Sequence, residues 1–104
     1  MSLNICAIVG TLTRDPSTTF EGEGKQTTWF TVQVQDAGTQ FVLYVPVTCY
    51  GRCAEQAATL NAEDLVAVQG RLGWKSYEHR GEKRSTLCVL AQTVTVLQPV
   101  ELST

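Results

Sequence analysis

Basic residues do not predominate in this 104-residue chain: 8 Lys and Arg face 10 Asp and Glu, for a formal net charge of −2. Affinity for a polyanion comes largely from neutralised phosphates, so the sum alone argues against a uniformly cationic binder. Histidine occurs once, as His79. Zinc sites usually supply paired short spacings or added histidines, and the four cysteines offer neither. Cys6 and Cys88 stand inside apolar runs, and Cys49 and Cys53 straddle a turn. All four read as structural thiols that a cytosol keeps reduced, with no metal and no cofactor. There is no phosphate-binding glycine loop, no serine elbow and no histidine with an obvious carboxylate or cysteine partner, so an enzyme is not expected. No apolar stretch approaches the roughly 18 residues of a membrane span, and the N-terminus lacks a basic region followed by an apolar one. A cytosolic protein without a membrane partner is the expectation.

What is present is period-two alternation. Leu3, Ile5, Ala7 and Val9 alternate with Asn4, Cys6 and Ile8 before Gly10 and Asp15-Pro16 close a first strand. After the polar loop Glu21 to Lys25, Phe30, Val32 and Val34 alternate with Thr31, Gln33 and Gln35 in a second strand with one wet face. Asp36 to Thr39 makes a tight connection. In the third strand Phe41, Leu43, Val45, Val47 and Cys49 form the core face, which leaves Tyr44 and Tyr50 together on the other.

The Ala-rich segment Arg52 to Leu60 predicts a short helix of good intrinsic propensity. Leu65 to Leu72 is a fourth strand, apolar on both faces as if covered on both. Trp74 to Ser85 predicts a hairpin turning at Gly81, and Thr86 to Leu97 the last strand, ended by Pro99. The order predicts an all-β chain of five strands with one helix between strands 3 and 4, residues 1–104 forming a single domain.

Charge is distributed unevenly. Arg71, Lys75, Arg80, Lys83 and Arg84 stand against only Glu78 and Glu82, so that stretch is cationic and the rest acidic. Such a run is often no more than a solvated hairpin. Interleaved with Trp74 and Tyr77, it suits a nucleic-acid strand better.

The run Leu43-Tyr44-Val45-Pro46-Val47-Thr48-Cys49-Tyr50-Gly51-Arg52-Cys53-Ala54-Glu55, followed by Leu65 to Leu72 and preceded by Asn4 to Pro16, resembles the bacterial single-stranded DNA-binding proteins, which implies their domain, a five-stranded Greek-key OB barrel with the short helix plugging one end. The likeness covers most of the chain and lies in the order and spacing of all these segments. It implies sequence-independent binding of single-stranded DNA in replication, recombination or repair. It also implies a homo-oligomer, a tetramer built from dimers or a dimer, with replication or repair proteins as further partners, in a bacterial cytosol or nucleoid or in an organelle; a monomer would leave Cys6 and Ile8 of the doubly apolar first strand exposed at a sheet edge.

On this reading Tyr44, Tyr50, Trp74 and Tyr77 are stacking partners, and Arg52, Arg71, Lys75, Arg80, Lys83 and Arg84 phosphate partners. Tyr44 and Tyr50 also suit a subunit interface, where tyrosine is enriched. Trp29 suits an interface and a DNA contact equally, and Phe20, Phe30 and Phe41 suit the core or loop anchoring. Two departures from the family weaken DNA contact: the short Asp36 to Thr39 connection replaces a long finger, and Glu63 and Asp64 stand where a Lys-Gly pair is common. The short connection and the acidic balance favour the alternative of a protein-interaction OB module, an accessory subunit similar to the primosomal OB proteins. The family usually continues into a flexible linker and an acidic tip; this sequence stops at Glu101-Leu102-Ser103-Thr104, as a shortened piece or a tailless, specialised relative would.

Overall fold

The computed structural model describes residues 1–23 and 25–101. Gly24 of the polar loop and the last three residues of the C-terminal tetrapeptide lie outside the described residues. Six strands and one helix follow in the order β1 (Cys6–Leu12), β2 (Ser17–Phe20), β3 (Gln26–Gln35), β4 (Val42–Tyr50), α1 (Gly51–Ala57), β5 (Leu65–His79) and β6 (Glu82–Gln98). They form one sheet ordered β1-β5-β6-β4-β3-β2, which β1 closes by pairing with β3 at Thr11 and Leu12. This is an OB-like barrel with its helix between β4 and β5, one strand more than the alternation predicted. The extra strand, β2, is a four-residue Ser-Thr-Thr-Phe segment laid along β3, too short and polar for an amphipathic signal. Among the described residues no helix is long and apolar enough to cross a membrane.

The core gathers Leu12, Phe30, Val32, Val47, Cys49, Val66, Val68 and Val89 under Ala54, Ala57 and Leu60. The helix is fixed by chemistry as well as packing: the buried Thr28 hydroxyl donates to the Ala54 carbonyl at 2.8 Å, and the Thr18 and Thr28 hydroxyls lie 3.0 Å apart. α1 stops at Ala57, short of the predicted Leu60. Its first residue explains the Tyr-Gly pair: Gly51 has φ +60, a left-handed turn that swings the chain from β4 into the helix and costs an L-residue about 1–2 kcal/mol.

Several faces differ from expectation. β1 runs on through Gly10, where it passes so close to β3 that an added Cβ would collide with the Gln33 carbonyl. Cys6 and Ile8 pack on the core, and Leu3, Ile5, Ala7 and Val9 face outward, the reverse of an exposed Cys6 and Ile8. Only Phe30 of the three phenylalanines is buried; Phe20, at the end of the edge strand β2, is exposed, and so are Phe41 and Leu43 at the turn end of the β3–β4 hairpin. β5 is fully covered on one face only, and only in its first half: Val66 and Val68 point inward, Leu72 farther along the same face is exposed, and the other face passes from the half-buried Leu65 and Ala67 to the exposed Gln69 and Arg71. Finally, the fourth strand, hairpin and fifth strand are one long antiparallel ribbon, paired from Leu65 opposite Gln98 to His79 opposite Glu82, with shifts in register after Leu65 and after Gln69. It turns through Arg80 and Gly81, both at positive φ as a two-residue I′ turn requires.

Candidate nucleic-acid interface

The outward face of β3 and β4 is laid down by register. Trp29 pairs with Thr48, Gln33 with Tyr44 and Thr27 with Tyr50, so Tyr44, Thr48 and Tyr50 share a face with Thr27, Trp29 and Gln33. β6 continues that face, Thr48 pairing with Leu90, and β5 completes it through Arg71 opposite Leu90 and Tyr77 opposite Arg84. Six residues of extended chain place Tyr44 and Tyr50 about 20 Å apart. Both tyrosines are exposed, as are Tyr77, Arg71 and Arg84.

Two grooves cross this face. One, of about 250 Å³, is lined by Thr27, Trp29, Thr48, Tyr50, Lys75 and Leu90, among others. The other runs past Tyr44 and is bordered by Thr13, Arg14, Asp15, Trp29 and Thr31. Trp29 borders both. Lys75 Nζ lies 4.8 Å from the centre of the Trp29 ring, a cation–π distance. At the groove floor the buried Thr48 hydroxyl has no hydrogen-bond partner among the described residues.

The predicted residues are therefore not equivalent in place. Tyr44, Tyr50, Arg71, Lys75, Tyr77 and Arg84 lie on one continuous face. Alternation sets Trp74 and Lys83 on the opposite side of the ribbon, although Trp74 reaches the rim of the Tyr50 groove. Arg80 is at the exposed tip and Arg52 on the exposed first turn of α1. Arg84 also contacts Glu82 at 3.4 Å, the single ion pair among the described residues. Asp64 is no surface acid: it is buried, and its carboxylate accepts backbone hydrogen bonds. Glu63 remains exposed.

Two members of the face were not assigned from sequence. Arg14 precedes the Asp15-Pro16 turn and approaches Tyr44 only because the β1–β2 connection folds over β3. Trp29 carried a signal, an aromatic on a wet face, but not a destination. The cysteines stay apart from this surface except for Cys88, which lines the Tyr50 groove. All four are free thiols. Burial pushes the Cys49 thiol far above the usual range, and the neighbouring Cys53 thiol adds to the shift.

The sequence matches the single-strand binding protein family over residues 3–97, and the chain belongs to that family, whose members are binding proteins. It is 31% identical over 103 residues to a single-stranded DNA-binding protein of Aquifex aeolicus, covering 91% of this chain and 70% of the relative. It is 28% identical over 100 residues to a single-stranded DNA-binding protein of Fusobacterium nucleatum, covering 88% of this chain and 65% of the relative.

Proposed function

We propose that this chain binds single-stranded DNA without reading its sequence and is not an enzyme. The observation that carries the reading is the exposed pair Tyr44 and Tyr50 on one face of β4, flanked by the cations of the β5–β6 ribbon, in a chain of the single-strand binding family. Unpaired bases offer flat π faces to aromatic side chains, each worth about 1–3 kcal/mol, while Arg71, Lys75 and Arg84 answer the phosphates. A duplex hides those faces. The family match and both relatives favour this reading over a protein-interaction module. The 104 residues act as one binding domain, in the compartment that holds the DNA, cytosol or nucleoid. Because Asp36 to Thr39 is short and the chain is acidic overall, affinity is modest.

The protein works as a homo-oligomer. Cys6 to Gly10 of β1 pair with β5 on one side only, and the outward Ile5 and Val9 are 66% and 52% exposed. An open, apolar strand edge is a template for a second chain. Light scattering at high concentration is expected to give a multiple of 11.4 kDa; a persistent monomer contradicts the assembly. Competition between labelled oligothymidine and unlabelled duplex tests the binding, with displacement by single strands but not by duplex as the expected result. Equal displacement by both contradicts it.

A further inference from the structure

We propose that Trp29, Lys75 and Thr48 form a gated base-stacking subsite that this chain adds to its tyrosine face. The inference rests on the single-strand reading above. Trp29 stands opposite Thr48, between Tyr44 and Tyr50, and is the one aromatic that borders both grooves. It is half-buried, so its body is anchored in the sheet while part of its ring faces the groove.

That ring is occupied by a cation. Lys75 Nζ sits 4.8 Å from its centre, and Lys75 has no carboxylate partner among the described residues. An ammonium held by a π cloud is held more loosely than by a full negative charge. A nucleotide carries the two groups that would part the pair: its phosphate draws the ammonium away, and its base takes the exposed indole. Beneath them the Thr48 hydroxyl is buried with no hydrogen-bond partner among the described residues, a polar group that a new partner would stabilise. A base edge or sugar entering the groove supplies that partner. Since a hydroxyl both donates and accepts, it favours no particular base. The subsite replaces part of the contact that the short β3–β4 connection cannot make.

Trp74→Phe leaves Trp29 as the only tryptophan of the whole chain, and its emission then reports on this groove. Titration with oligothymidine, followed by fluorescence and by anisotropy of the labelled strand, is expected to quench Trp29 in step with binding. Trp29→Thr, which matches the neighbouring Thr27 and Thr31, is expected to weaken binding about 5- to 150-fold with its circular dichroism unchanged. Lys75→Met is expected to change Trp29 emission in the free protein and lower the salt slope by about 0.7. An unmoved Trp29 signal in protein that still binds overturns the proposal. So does a folded Trp29→Thr protein with parental affinity, including one whose only change is a smaller oligomer. A parent that binds no oligothymidine overturns the underlying reading and the subsite with it.

Discussion

The carboxylate of Asp64 ties Val100 to the turn that launches β5. One oxygen accepts from the Val100 amide at 2.8 Å and the other from the Asn61 amide at 2.8 Å, with Asp64 itself 2% exposed. Asp64→Ala orphans both amides in a partly buried site, and a loss of about 2 kcal/mol is expected in urea unfolding. That corresponds to roughly 4–8 °C in Tm per kcal/mol. Asp64→Asn keeps one acceptor and is expected to lose less. Neither change moves the salt dependence of DNA binding, because the group does not face solvent. A flatter salt slope in Asp64→Asn would show that the carboxylate acts on DNA.

Cys49 makes alkaline pH a probe of the core. Its folded-state pKa lies above the ordinary thiol value of 9.0, chiefly through burial. The folded protein therefore holds a proton that the unfolded chain releases. The stabilisation is complete below about pH 9 and declines above it by about 1.4 kcal/mol per pH unit. Cys49→Ala is expected to remove that part of the slope in denaturation curves taken between pH 8 and 10.5. In the native protein Cys49 should resist iodoacetamide, since the thiolate is the reactive form. Rapid native alkylation at pH 8 contradicts the assignment.

Lys83 and Arg84 are adjacent in sequence and opposite in direction. Arg84 shares the face of Tyr77, whereas Lys83 pairs with Glu78 on the other side of the ribbon. Arg84→Ala is expected to lower the slope of log K against log salt by about 0.7, and Lys83→Ala by much less. Equal effects would mean that the strand wraps the tip of the ribbon instead of following one face.

Much of this arrangement is legible in the chain because strand alternation is a local property. Phe30 and Val32 in β3, and Val47, Cys49 and Tyr50 in β4, fall on the faces that their period of two demands. What escapes is set by residues distant in sequence. β1 is apolar on both sides, so nothing in its own pattern decides whether Ile5 and Val9 or Cys6 and Ile8 turn inward; pairing with β5 and β3 decides it. Asp64 looks like a surface acid until Val100 comes back to meet it. The nearness of Arg14 to Tyr44, and of Lys75 to Trp29, depends on closure of the barrel, which no window of sequence encodes.

Tyr50→Ala bears most directly on the central claim that the outward face of β4 stacks unpaired bases. Fluorescence anisotropy of a labelled oligothymidine, taken for parent and variant at several salt concentrations with the oligomer mass followed in parallel, separates the possibilities. The expected result is a loss of about 1–3 kcal/mol at every salt concentration, an almost unchanged slope and an unchanged oligomer. Parental affinity in Tyr50→Ala accompanied by dissociation of the oligomer would contradict it and make the tyrosine face a subunit interface.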